Sequence, residues 1–246
     1  MANINLAAGS AMHPVVNRRW FRLSRGLLVE TIEKNDKRID EAKSRMNKKE
    51  VEVFEIEHGA LSGYITEMYQ TTSFQQDYFN INFDTENQER TIPFKEGGRC
   101  WTQMMELLPN VDLSKPIKIE AKINKFKVDG ELVIGTKIVV TQDGKYVPSY
   151  FKKITYNAEG EIEKSEYFNK YPVPPKPKAG GNKLSPSEWK EYSTKTIEFL
   201  SRHSRDVEIE RIKDFWELEN SKKSEEVEID QKVDHDGGDS KDDLPF

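Results

Sequence analysis

Apolar and polar residues alternate with a period of two between Val51 and Thr155, which predicts a succession of half-buried strands. Val51-Glu-Val-Phe-Glu-Ile-Glu57 is the first. His58-Gly59 and Gly63 let that strand bend and continue through Tyr64 to Tyr69. A polar connection, Gln70 to Ser73, leads to a second strand over Asp77 to Phe83, with Phe79, Ile81 and Phe83 on a core face and Tyr78, Asn80 and Asn82 on the other. Arg90 to Phe94 forms a third, whose Pro93 marks a sheet edge or a strand end. Gly97-Gly98 then breaks the alternation. Cys100 to Leu108 reads as a short helix stopped by Pro109, with Trp101, Met104, Met105 and Leu108 on one face to plug the end of a barrel. Ile117 to Ile123 and Leu132 to Thr141 are the fourth and fifth strands, joined by a hairpin loop holding Lys125-Phe126-Lys127 and Asp129-Gly130. Asp143-Gly144 signals a further hairpin. Tyr150 to Tyr156 and a short polar strand after Asn157-Ala-Glu-Gly160 are expected to extend the sheet.

The flanks follow other rules. Residues 1–17 lack periodicity and read as a mobile arm. Arg18-Arg19-Trp20-Phe21-Arg22 interleaves two aromatics with arginines, a pattern equally suited to stacking bases and to anchoring the arm on the domain. From Leu27 to Lys49 the apolar residues Leu28, Ile32, Ile39, Ala42 and Met46 recur at mostly helical intervals, predicting a helix with a thin apolar face. Tyr171 to Gly181 is a Pro/Gly linker. Ser185-Pro-Ser-Glu188 then has an N-cap, a proline at the first helical position and a capping-box glutamate. A helix carrying Trp189, Tyr192, Thr196, Phe199 and Leu200 follows, and Val207, Ile209, Ile212, Phe215 and Trp216 suggest a second. Both are too short for a core of their own and need a partner surface: the barrel, another copy or a replication protein. The expected divisions are 1–48 arm and helix, 49–170 β domain, 171–183 linker, 184–220 helical extension, and 221–246 a disordered acidic tail.

Charge changes this picture at the C-terminal end. Ser224 to Phe246 hold nine carboxylates against Lys232 and Lys241, a net of −7, while the whole chain is −5; residues 1–223 therefore sum to +2. The acidity belongs to the tail, and the body is close to neutral with local basic patches. The tail closes on Asp242-Asp243-Leu244-Pro245-Phe246, negative charge joined to one aromatic anchor, as a docking peptide requires. This motif resembles the C-terminal tip of the bacterial and phage single-stranded DNA-binding (SSB) proteins. In that family such a tail follows an oligonucleotide-binding (OB) fold and recruits replication and repair enzymes. Five strands with a helix between the third and fourth is also the OB order. The expected fold is therefore mainly β: a five-stranded Greek-key OB barrel with an extra hairpin, helical extensions at both ends and the acidic tail. The likeness covers the tip alone, and the arms before Val51 and after Thr141 exceed those of an ordinary bacterial member; this favours a phage or plasmid version.

With 35% hydrophobic and 33% charged residues, only about 100–130 residues are expected to form a compact core. The lone Cys100 excludes a disulfide framework, and His13, His58, His203 and His235 lie far apart, so no metal site or cofactor is expected. No stretch reaches the ~20 apolar residues of a membrane span. A cytoplasmic protein is expected, in a bacterium or in the host cell of a phage. There is no phosphate-cradling glycine loop and no nucleophile elbow, so an enzyme is not expected.

An OB fold carries its groove across strands two and three and the loops joining strands one to two and four to five. Mapped onto this chain, that groove offers Phe126 flanked by Lys125 and Lys127, then Tyr78, Tyr69 and Phe74, with Tyr64 nearby. Lys118, Lys122, Lys95, Arg90 and Arg99 are candidates for phosphate, and the arm adds Arg19 for phosphate and Trp20 for stacking. The function expected is sequence-independent coating of single-stranded DNA during replication, recombination and repair, with partner enzymes held at the tip and a possible homo-oligomer. The alternative is a replication accessory or recombination mediator whose barrel grips protein.

Overall fold

The computed structural model describes residues 18–47, 49–85, 88–128, 131–157, 162–176 and 184–233. Its main body is a ten-stranded mixed sheet in the order β10-β9-β8-β5-β6-β7-β1-β2-β4-β3. The strands are β1 (Arg19–Ser24), β2 (Leu27–Ile32), β3 (Lys43–Met46), β4 (Glu52–His58), β5 (Ala60–Ser73), β6 (Gln76–Thr85), β7 (Gln88–Lys95), β8 (Ile117–Val128), β9 (Glu131–Gln142) and β10 (Lys145–Tyr146). The expected bend falls at Gly59, between β4 and β5. Before it the chain pairs with β2; after it, with β8 and β6. One long strand thus serves two ladders and curls the sheet.

Residues 27–47 do not form the expected helix. β2 and β3 flank a short 3-10 turn, Ile39–Glu41, and both pair with β4. Val29, Thr31 and Ile32 are β-branched and suit a strand, and the ladder offered by β4 outweighs a weak helical spacing. β1, β2 and β3, all before residue 49, are therefore part of the sheet.

The sheet also does not close into a barrel. β1 takes the free edge of β7 in parallel, Arg19 opposite Arg90 and Trp20 opposite Thr91, and β10 takes the edge of β9. The parallel ladder stops short of Pro93, which has no N–H to give. The β1–β2 turn instead reaches across to β9: Gly26 N donates to Thr136 Oγ1 at 3.0 Å. Gly26 has φ of +79°, and a Cβ there would stand 2.5 Å from Ile123 N, so the turn admits only glycine at this approach.

The core lies inside the curl. Phe79, Ile81 and Phe83 are buried as the alternation requires, with Phe21, Leu28, Ile65, Met68, Ile92 and Phe94. Helix α1 (Arg99–Leu107) adds Trp101, Met104 and Met105, and Leu108 follows them into the core. The Asp143-Gly144 signal yields the β9–β10 hairpin, both residues at positive φ. β11 (Lys152–Tyr156) and β12 (Ile162–Tyr167), however, form a separate two-stranded sheet rather than an extension of the main one.

The C-terminal helices pack on this body. Ser185 and Glu188 form the reciprocal capping box that opens α2 (Pro186–His203), which passes through a π turn, Ser204–Glu208, into α3 (Ile209–Val233). Leu200 and Ile212 are fully buried, and Ile197 lies against Gly97. Three hydrogen bonds from two side chains help to fix the seat. Arg211 donates to the carbonyls of Leu108 and Val111 at the end of α1, and Trp216 Nε1 donates at 2.7 Å to Ile65 O, where β5 bulges. Tyr171, the first residue of the expected linker, is itself buried, stacked on Phe151 and hydrogen-bonded to Glu106. α3 continues past the boundary at 221 that composition suggested.

Candidate nucleic-acid interface

The outward face of β5, β6, β7 and β1 can be read from register and alternation. Thr71, Tyr78 and Lys95 form one row across it; Tyr69, Asn80 and Pro93 form the next; Glu67, Asn82, Thr91 and Trp20 form the third. The Ile65/Glu67 bulge sets this phase, because it turns Glu67, Tyr69 and Thr71 outward while keeping Met68 in the core. Three of the expected rings, Tyr69, Tyr78 and Trp20, are thereby brought to one surface. Strand and residue spacings put Tyr69 and Tyr78 about 8 Å apart and Trp20 about 16–17 Å from either. Trp20 is 48% exposed, while its neighbour Phe21 points into the core and anchors the strand there.

Phe74 stands at the end of the same surface, in the β5–β6 turn, and is 98% exposed. Phe74 and Gln75 both have positive φ, 50° and 60°, as the two central residues of a type I′ turn must. The β1–β2 and β9–β10 turns meet this demand with Arg25-Gly26 and Asp143-Gly144, whereas this one uses two side-chain-bearing residues. Thr72 Oγ1 donates to Asp77 Oδ1 at 2.5 Å across the base of the turn and holds it.

The floor between the rings is polar and closed. Asn80 and Asn82 are buried, not open as the alternation suggested. Asn82 Nδ2 donates to Glu67 Oε2 at 2.6 Å and to Glu89 Oε1 at 2.7 Å, its Oδ1 accepts from Thr91, and Asn80 donates to Thr71. Arg18 covers the group: it donates to Glu89 at 2.7 Å and to the Tyr69 hydroxyl at 3.4 Å, and lies 3.7 Å from Glu67. Burial pushes the Tyr69 phenol upward, against the pull of Arg18. The sequence marked Arg18 as basic but gave no sign of its two acidic partners.

Other expected residues are placed elsewhere. Arg19 alternates to the opposite face from Trp20 and sits 3.6 Å from Glu30, so it is an ion-pair partner rather than a neighbour of the rings. Glu30 is 3% exposed. Burial opposes its charge most strongly, but two hydrogen bonds from Arg38 and the charges of Arg38, Arg19 and His58 prevail and hold its carboxyl below the usual range. Arg90 is drawn inward over the Phe21 ring with a buried Nε, and burial lowers its pKa. Lys118 and Lys122 both pair with Glu120, at 2.5 and 3.0 Å, leaving one net positive charge among the three. Tyr64 meets the edge of Trp216. Lys125, Phe126 and Lys127 are not in a hairpin loop: all three belong to β8, in register with Ile134, Val133 and Leu132, because the β8–β9 ladder runs on to Val128 opposite Glu131. Lys125 is exposed, while the side chains of Phe126 and Lys127 lie outside the described residues, as does the whole of Asp242 to Phe246. Beyond its contact with Gly26 the hairpin arm leaves Ile123, Leu132 and Ile134 more than half exposed.

Among the described residues no cluster of His, Cys, Asp and Glu could hold a metal ion, and no helix is long and apolar enough to cross a membrane. No family model, curated protein or solved structure matches this chain, so the chemistry of the face is read from its own geometry.

Proposed function

We propose that this chain is a non-enzymatic single-stranded DNA-binding protein whose β5-β6-β7-β1 face stacks bases on Tyr69, Tyr78 and Trp20, with Phe74 as a further platform and Lys95 and Lys125 available to phosphates. The observation that carries the reading is the set of three rings turned outward on one sheet surface, with a wholly exposed fourth at its end. Every base has a stackable face, so rings bind single strands without choosing sequence. The amides that could read base edges are occupied: Asn80 and Asn82 are buried and bonded within the protein. That supports binding without sequence specificity.

Five of the strands, β9-β8-β5-β6-β7, follow the order 5-4-1-2-3 of an OB fold, with α1 between the third and fourth. We read the sheet as an OB-like core whose closure is replaced by the β1–β2 hairpin. The Asp-Asp-Leu-Pro-Phe motif supplies the second activity in this proposal, docking of replication, recombination or repair enzymes through charge and one aromatic anchor.

Titration with oligo-dT tests the first activity. Trp20 lies on the proposed surface while Trp101 is fully buried, so binding should quench fluorescence through Trp20, and affinity should fall as salt rises. Tyr78→Ala should weaken binding roughly 5- to 150-fold, the ~1–3 kcal/mol of one stacking pair. A folded protein that shows neither quench nor salt-dependent affinity defeats the proposal. Removing Asp242 to Phe246 should leave DNA binding intact and abolish capture of a docking enzyme; capture that survives the deletion would end the tip's assigned role.

A further inference from the structure

The proposed DNA face contains an electrostatic contradiction. Glu67 and Glu89 flank Asn82 in the middle of the ring-bearing surface, where a phosphate backbone would pass. Their oxygens are fixed there by the Asn82 amide, which is fully buried and donates to both, so they cannot swing away without orphaning it. Arg18 sits over the pair, and its remaining contact is with the hydroxyl of Tyr69, one of the stacking rings. With Lys95, these four charged groups sum to zero; without Arg18 the remaining three sum to −1.

Resting on the DNA-binding reading above, we propose that Arg18 is a positioning residue of that face: it masks Glu67 and Glu89 and steadies Tyr69, and it does not itself take a phosphate. Two of its five N–H groups are taken by Glu89 and Tyr69, and its charge is already set against two carboxylates. A phosphate that drew it off Glu89 would break the 2.7 Å bond and uncover those carboxylates at the moment DNA arrives. The unusual consequence is that the affinity of the sheet depends on the residue just before β1, through a charge that never touches the ligand.

Two variants separate a mask from a contact, assayed in the full chain by oligo-dT titration at several salt concentrations. Arg18→Ala uncovers two carboxylates by removing one positive charge, and should weaken binding roughly threefold for each phosphate held about 7 Å away in water-like surroundings, approaching tenfold for two. Arg18→Ala combined with Glu67→Gln and Glu89→Gln keeps the acceptors for Asn82 but removes the charge. It should return the affinity to within about threefold of the parent and keep the parent's dependence on salt. If the triple variant stays weak and its logarithmic salt slope drops by about one, Arg18 was a phosphate ligand and the mask is wrong. Full affinity in Arg18→Ala alone would also overturn it. A parent that never binds oligo-dT would instead reject the DNA-binding reading itself, and the mask with it.

Discussion

The β5–β6 turn gives a prediction in which stability and binding move in opposite directions. Phe74 is 98% exposed, so unfolding uncovers almost none of its ring and the side chain adds nothing to the hydrophobic stabilisation of the fold. It also holds φ at 50°, followed by Gln75 at 60°, in a conformation that costs a side-chain-bearing residue about 1–2 kcal/mol. Asn-Gly is the pair best suited to this turn. Replacing Phe74 and Gln75 by Asn and Gly should relieve about 2 kcal/mol of strain and lose about half of that to the greater freedom of glycine in the unfolded chain. The net gain of about 1 kcal/mol raises Tm by roughly 2–4 °C in a chain of this size. The same variant loses a stacking platform and should bind oligo-dT roughly 5- to 150-fold more weakly. Gln75→Gly alone should stabilise without weakening binding, which assigns the binding loss to the ring. Differential scanning calorimetry and fluorescence titration read the two effects. A more stable double variant with undiminished affinity would show that the exposed ring has no part in DNA binding; a fall in Tm would show that the turn was never strained.

Three further outcomes follow from the packing. Gly26→Ala places a Cβ 2.5 Å from Ile123 N at a φ of +79°, so it should cost about 2 kcal/mol and lower Tm, and an unchanged Tm would refute the close approach of the β1–β2 turn to the β8–β9 arm. Glu30 is held below its ordinary value of 4.5, so its ionised form stabilises the fold above that pH and the contribution is lost as pH falls through the lower folded value. Glu30→Gln should cost about 3 kcal/mol at neutral pH and flatten the loss of urea-denaturation stability as pH falls below about 5; parallel pH curves for variant and parent would discount the cluster. Trp216→Phe leaves the Ile65 carbonyl at the β5 bulge without its 2.7 Å donor, for a loss of about 1–3 kcal/mol by chemical denaturation, and no loss would mean that α3 is not pinned there.

Alternation alone located β5, β6 and β7 of the candidate face but not β1, and it gave the burial of Phe79, Ile81 and Phe83 and the helix that plugs the core, because a period of two or 3.6 is a local property of the chain. The capping box of α2 and the Asp143-Gly144 turn were legible for the same reason: their partners lie within a few residues. The pairing of β1 with β7, and hence the open sheet, was not legible, since it joins residues some 70 positions apart with no signature in either. Leu27 to Ile32 became a strand because β4 offered a ladder at a distance. Arg19 and Trp20 are neighbours in sequence, yet one went to a buried carboxylate and the other to the ring face, a division made by which side of β1 met the core. The closed network of Asn82, Glu67, Glu89 and Arg18 likewise came from tertiary structure alone: four residues on separate segments share one charge balance only after the sheet has set their register.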